Sequence, residues 1–326
     1  MKNSKDKIIF VAGHNGMVGA AIVRHLTKLG YKNLILKSRK ELDLSNQEKV
    51  NFFFKNNKID QVYMAAAKVG GIHANNNYPA DFINQNLLIQ SNVIHSSFIT
   101  GVKKLLFLGS SCIYPKLANQ PIKEEELLTN TLEPTNEPYA IAKIAGLKMC
   151  ESYNRQFGKK FGLDYRCIMP TNLYGPGDNY HPSNSHVVAA MLNRYIHAKA
   201  KNLSHVTCWG SGEPMREFLH CEDLADACIF ALERWDPSGA NAPLDINKIP
   251  LTILNVGTGK NISIKNLSEL ISELVGFEGI TNWDKSKPDG TPRKLLDITK
   301  MSKLGWKSKI SLRDGLKRTI KELLTK

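Results

Sequence analysis

The chain has 326 residues, of which 42% are hydrophobic and 23% charged, and its formal net charge is +14. That length holds one large domain or two intimate ones with ample core, and the composition is that of a soluble globular enzyme. No apolar run approaches the roughly 20 residues of a membrane span, and no basic-aromatic interleaving or nucleic-acid motif accompanies the charge, so neither a membrane nor a nucleic-acid partner is expected. Scattered Lys and Arg read as a solvated surface that attracts anionic small molecules, nucleotide cofactors and nucleotide sugars among them. The six cysteines show no zinc-like spacing with the nine histidines, so no metal site is expected and the thiols are read as reduced. The N-terminus leads straight into a short apolar strand, too short for a signal-peptide core, and the expectation is a cytoplasmic protein.

Residues 7–13 form a β-branched apolar run that ends in Gly13-His14-Asn15-Gly16-Met17-Val18-Gly19. A helical pattern follows through Val18, Ile22, Val23, Leu26 and Leu29, with Gly30 as its stop. Strand, glycine turn and helix together cradle phosphate: the glycines let the backbone approach a pyrophosphate, which the helix N-terminus faces. The spacing is GxxGxxG, and a glycine triplet gains its meaning only from lying between this strand and this helix. A second strand, 33–39, ends in Arg39, where folds of this kind place an arginine for the extra phosphate of NADP or an acid for the ribose of NAD. Arg39 favours NADP(H), although a surface arginine at a strand end is the plainer reading. Asp43, just beyond, would sit near the adenine.

A helix over 47–57 and a buried strand over 61–67 come next, then a flexible loop over 68–73. A long helix runs from Pro79 to about Thr100, with Pro at its start and Gly101 at its stop. The strand 104–109 delivers Ser110, Ser111 and Cys112 at its carboxyl end, where open α/β sheets bind ligands. Residues 114–137 are Pro-rich and acidic and read as a loop over that position. The next helix, from Tyr139 to about Gly158, carries Tyr139 and Lys143 four apart and so on one face. A lysine beside a tyrosine favours the phenolate and brings a group of pKa about 10 into working range, and Ser110 can grip the same substrate oxygen. Ser, Tyr and Lys around one carbonyl is the chemistry of nicotinamide-dependent carbonyl reduction; taken alone, the pair is also an ordinary helix pair. Lys159 to Gly162 reads as a polar turn, and 164–170 as the next strand.

The alternation of strand and helix to this point predicts an α/β fold, a Rossmann-type doubly wound parallel sheet. After Pro170-Thr171-Asn172-Leu173 and Gly175 the texture changes, and a smaller C-terminal α/β substrate-binding domain is expected. Residues 1–175 are assigned to the NADP-binding domain, with returning segments near 216–235 and 251–257, and 176–326 mainly to the substrate domain. Helices are expected over 187–200, 222–234, 263–275 and 308–324, and a strand over 251–256.

GxxGxxG after the first strand, Ser110 and Tyr139-xxx-Lys143 resemble the extended short-chain dehydrogenase/reductase family. Four longer stretches narrow the resemblance, over essentially the whole chain, to its members that epimerise and reduce GDP-4-keto sugars: Gly109 to Lys116, Glu133 to Tyr139, Pro182 to His186, and Lys287 to Lys294. The resemblance implies epimerisation at C3 and C5 of GDP-4-keto-6-deoxy-D-mannose, followed by NADPH reduction at C4. It implies Tyr139 as proton donor to O4, Lys143 as its tuner and ribose ligand, Ser110 on O4, and Cys112 and His186 as base and acid of epimerisation. Cofactor contacts are implied for Gly13 to Gly19, Arg39, Leu108, Gly109, Ser110, Ser111, Tyr139, Lys143, Pro170 to Leu173, and His186. The GDP-sugar is implied to rest on Arg194, Trp209, Arg216, Asp289 and Lys294, although Trp209 can be core and Arg216 an ion-pair partner of Glu217. A homodimer, with helices 79–100 and 139–158 paired into a four-helix bundle, is also implied. One departure is Asn15, where the family often has arginine; it removes one phosphate contact and loosens the preference for NADPH.

The chemistry coheres without the family. A hydrogen next to a ketone is acidic because the carbanion becomes an enolate with charge on O4, and hydride addition to C4 also charges O4, so one constellation stabilises both steps. A thiol and an imidazole, with ordinary pKa values of about 8.5 and 6.5, suit the base and acid. The alternatives are a sister epimerase-reductase on a dideoxy or heptose GDP-4-keto sugar and a non-catalytic NADP(H)-sensing protein. A sensor typically lacks the Tyr or the Lys, and both are present.

Overall fold

The computed structural model describes residues 4–181, 185–237, 239–287 and 289–325. Pro182, Ser183, Asn184 and Pro288 of the motifs above, and the N-terminal Met1 to Asn3, lie outside the described residues.

The elements run β1 (Ile9–Ala12), α1 (Met17–Lys28), β2 (Leu34–Ile35), α2 (Gln47–Asn56), β3 (Gln61–Met64), α3 (Ile72–Asn77), α4 (Pro79–Ile99), β4 (Lys104–Leu108), α5 (Glu137–Phe161), β5 (Asp164–Pro170) and β6 (Asn172–Tyr174). They continue with α6 (Val187–Ala200), β7 (His205–Trp209), β8 (Met215–His220), α7 (Cys221–Glu233), β9 (Ile253–Val256), β10 (Asn261–Ser263), α8 (Ile264–Val275), β11 (Ile280–Asp284), β12 (Arg293–Lys294), α9 (Thr299–Lys303) and α10 (Leu312–Thr325). A six-stranded parallel sheet has the order β2-β1-β3-β4-β5-β9. Every residue of β1, β3 and β9 is buried, as the strands of a sheet covered on both faces require.

Successive residues of one strand feed opposite cores. Phe10 joins Phe53, Phe54, Phe107 and Leu147 under α2, α4 and α5, while Ile9 and Val11 join Ile22, Leu224 and Leu254 under α1 and α7. This is the doubly wound Rossmann-type arrangement. A third core, around Tyr174, Leu192, Tyr195, Phe218, Ile271 and Leu316, underlies the later elements. There β8 lies between β10 and β12 and also pairs β6, while β7 pairs β11. Among the described residues no helix is long and apolar enough to cross a membrane.

Several local expectations change. The second strand is only Leu34–Ile35, because Ser38 turns the chain: its backbone N–H and hydroxyl both donate to the Glu41 carboxylate, at 2.8 and 2.6 Å. Residues 159–161 are the last turn of α5, not a polar turn. Phe161 packs edge-on to Phe98, Phe98 stacks on Phe157 at 4.4 Å, and Gly162 closes the helix at φ +65°. The loop at 68–73 gives way to α3 from Ile72, where Asn75 donates its amide to the carbonyls of Gly70 and Gly71.

Candidate active site

The glycine turn is built by close backbone approach. Gly13 has φ +83°, and a Cβ there would lie 2.7 Å from the Ala66 backbone at the end of β3. A Cβ on Gly19 would lie 2.1 Å from the carbonyl oxygen of Gly13. Gly16 N–H donates to that same carbonyl at 3.0 Å, and Gly16 caps α1 without a side chain. The first turn of α1, Met17 and Val18 included, carries no acid, so its N–H groups meet no local negative charge. His14 Nδ1 is buried without a partner, and Asn15 is exposed. A glycine cradle, an open helix N-terminus and an orphaned ring nitrogen fit a dinucleotide pyrophosphate. Arg39 stands exposed in the turn beyond β2 rather than on the strand; hydrogen bonds from Ser45 hold the Asp43 carboxyl below its usual range, and the Arg39 charge adds to them.

β4 finishes at Leu108. Gly109 follows because a Cβ would lie 2.3 Å from Met169 Sδ. Ser110 caps a single 3-10 turn over Ser111–Ile113 by accepting from Cys112 N–H at 3.2 Å, which fixes Ser110 and Cys112 to one another. Tyr139, in the first turn of α5, is within side-chain hydrogen-bond reach of Ser110. Burial pushes its phenol well above the ordinary value, a negative charge on Cys112 would push it further, and Ser110 opposes both. Lys143 is buried on the same helix, one turn beyond Tyr139. Its ammonium donates to the Leu108 carbonyl at 2.7 Å and sits 4.8 Å from the Phe107 ring centre, and burial draws its pKa down to about 8.

Cys112 is the one half-buried cysteine; the other five are buried. Lys294 Nζ reaches its sulfur at 3.8 Å. Burial pulls Arg216 below its usual value, and the charges of Cys112 and then Asp289 push it back, so all three share one neighbourhood. Asp289 accepts from Ser211 N–H at 2.7 Å and from its hydroxyl at 2.8 Å, which pins its loop to the turn after β7. Trp209 is 43% exposed and is not core. The Arg194 guanidinium lies 4.9 Å from its ring centre and donates to the Thr207 carbonyl at 3.2 Å. Pro170 ends β5, and Thr171 and Asn172 both donate to the Glu217 carbonyl, at 3.2 and 2.9 Å, while Leu173 packs against the core beneath α1. His186 caps α6 with its ring partly exposed, and its Nδ1 lies 3.9 Å from Asp178 Oδ1, whose other oxygen is buried and unpartnered.

Three residues not assigned to the site from the sequence lie against those that were, or tie their segments together. Asp178 sits in a polar stretch with no periodic signal. Lys287 Nζ lies 5.9 Å from the Trp209 ring centre, which only the fold reveals. Glu217, fully buried on β8, accepts from Thr258 N–H, Gly259 N–H and Leu296 N–H at 2.6, 2.7 and 3.0 Å, joining the segments that follow β9 and β12.

The family model described as "NAD dependent epimerase/dehydratase family" matches residues 9–247. The chain is 57% identical over 316 residues to the GDP-L-fucose synthase of Escherichia coli, covering 97% of this chain and 96% of that one. It is 57% identical over 317 residues to GDP-L-fucose synthase 1 of Arabidopsis thaliana, covering 97% and 93%. Among solved structures it is similar to a GDP-mannoheptose C4 reductase from Campylobacter jejuni with NADP bound, at TM-score 0.86 and 38% identity, covering 99% of this chain and 100% of that one. With a family model over most of its length and relatives more than half identical from end to end, the chain belongs to the NAD dependent epimerase/dehydratase family.

Proposed function

We propose that this chain converts GDP-4-keto-6-deoxy-D-mannose to GDP-L-fucose, by epimerising C3 and C5 and then reducing the C4 ketone with NADPH. The observation that carries the reading is the grouping of Ser110, Cys112 and Tyr139 at the end of β4, with Lys143 beneath and Lys294 and Arg216 alongside. The names of the relatives more than half identical to the chain support the same substrate. NADPH, when bound, supplies the hydride for C4. The glycine turn and the N-terminus of α1 would hold its pyrophosphate, Arg39 its 2′-phosphate, and Leu108 to Ser111, Pro170 to Leu173 and His186 the rest of the cofactor.

Cys112 takes the proton from C3 or C5, and the electron pair of the broken C–H bond moves into the enolate with its charge on O4. Ser110 and Tyr139 donate hydrogen bonds to O4 and stabilise that charge. His186 returns a proton to the opposite face of the ring, with Asp178 behind its Nδ1. In the reductive step charge develops on O4 again. Tyr139, whose raised pKa keeps it protonated, gives O4 its proton, and Lys143 supplies positive charge below. Trp209 and Arg194 offer a flat cationic platform for the nucleotide, with Arg216 and Asp289 further in.

The same reading divides the chain into a cofactor domain over 1–175, with 216–235 and 251–257 returning to it, and a substrate domain over the remainder of 176–326. It places the protein in the cytoplasm as a homodimer. Leu88, Ile99, Ile141 and Phe161 are exposed on α4 and α5, where a second copy would cover them, and sedimentation tests this. The activity is tested by incubating the enzyme with GDP-4-keto-6-deoxy-D-mannose and NADPH: stoichiometric NADPH loss with GDP-L-fucose identified by NMR is expected. NADPH loss with a product of unchanged C3 and C5 configuration contradicts it.

A further inference from the structure

We infer that Lys294 is a positioning residue for Cys112, supplying the positive charge against which the thiolate forms. This rests on the reading of Cys112 as the epimerisation base. A thiol must surrender its proton before it can take one from carbon, and a neighbouring cation is what favours that form.

The placement is built into the fold. β12 pairs with β8 in parallel, with Lys294 opposite Arg216. Matched positions on neighbouring strands point to the same face, so two cations stand side by side there. Lys294 Nζ lies 3.8 Å from Cys112 Sγ, and the Arg216 guanidinium is near enough to feel a charge on that sulfur. Tyr139 also feels a charge on that sulfur, and Asp289 acts on the same Arg216 guanidinium. No ion pair of the described residues engages Lys294 with a carboxylate.

The segment after Lys294 is stitched to the chain leaving the Cys112 loop. Leu295 N–H donates to Gln120 Oε1 at 2.8 Å, Ile122 N–H to the Leu295 carbonyl at 2.8 Å, and Asp297 N–H to the Ile122 carbonyl at 2.8 Å. Glu217 holds Leu296 N–H from the other side at 3.0 Å. The ammonium is therefore carried on a backbone fixed relative to the sulfur on two sides.

The test is alkylation of the free full-length enzyme with iodoacetamide at neutral pH, followed by peptide mass analysis. The five other cysteines are buried, so labelling of the folded protein reads Cys112, and Cys112→Ser supplies the blank. Lys294→Met and, as a second variant, Lys294→Gln are expected to slow labelling about tenfold, whereas Lys294→Arg keeps most of the rate. Labelling of both neutral variants at the wild-type rate, with only KM for the GDP-sugar raised, overturns the proposal and makes Lys294 a phosphate ligand. Solvent exchange at C3 and C5 is measured separately. Exchange that persists in Cys112→Ser overturns the base reading, and with it the positioning role of Lys294 in epimerisation, whatever the labelling rates show.

Discussion

The ammonium of Lys143 donates to the carbonyl oxygen of Leu108 at 2.7 Å, so the residue one turn beyond Tyr139 directs one of its three N–H groups at the end of β4. Burial brings its pKa down to about 8. The lysine is cationic below that value and loses its charge as pH rises through it, while the raised Tyr139 phenol stays protonated. The rate of C4 reduction, read as kcat/KM, is therefore expected to fall on the alkaline side with a midpoint near 8, and Lys143→Arg should displace or remove that limb. A flat profile to pH 10 would contradict it. The sign for stability is opposite: between about 8 and the unfolded value of 10.5 the unfolded chain binds more protons, so this group's contribution to stability rises with pH there.

Gly19 faces the carbonyl of Gly13 with no room for a side chain. Gly19→Ala should push the turn away from the start of α1, weaken NADPH binding by about tenfold or more and lower stability by about 1–3 kcal/mol. Fluorescence titration of NADPH and a thermal melt measure both.

Arg39 is exposed beyond β2. Arg39→Ala should raise KM for NADPH by about tenfold and leave KM for NADH nearly unchanged, since only the 2′-phosphate is lost as a partner. Equal effects on the two cofactors would remove Arg39 from that role.

Glu217 ties three backbone N–H groups from two segments to β8. Glu217→Ala should leave those donors buried without partners and cost about 3–5 kcal/mol, seen as a shift in urea midpoint. Its raised pKa comes from burial, with the backbone hydrogen bonds opposing.

Much of this architecture was legible because parallel strands such as β1 and β3 are buried throughout and read as apolar runs ending in small residues. α6 is recovered residue for residue because it packs one clear apolar stripe. The short strands β6, β10 and β12 were not legible: pieces of two or three residues carry no periodicity, and their pairing with β8 is a long-range choice. In the site, the four-residue spacing put Tyr139 and Lys143 on one helix face and a strand end delivered Ser110 and Cys112, while the resemblance brought the two pairs together; spacing does not say where an ammonium points. Lys143 turning to Leu108 and Lys294 turning to Cys112 depend on the depth of α5 against β4 and on the register of β12, neither of which a local pattern encodes.

The central claim is that Cys112 serves epimerisation and Tyr139 serves reduction at one shared oxygen. The most direct measurement is turnover of GDP-4-keto-6-deoxy-D-mannose with NADPH in deuterated water, with mass analysis of product and recovered substrate for wild type, Cys112→Ser and Tyr139→Phe. The account predicts two solvent deuterons in the wild-type product, impaired exchange in Cys112→Ser beyond any loss of hydride transfer, and residual exchange without reduction in Tyr139→Phe. Equal loss of exchange and reduction in both variants would contradict it.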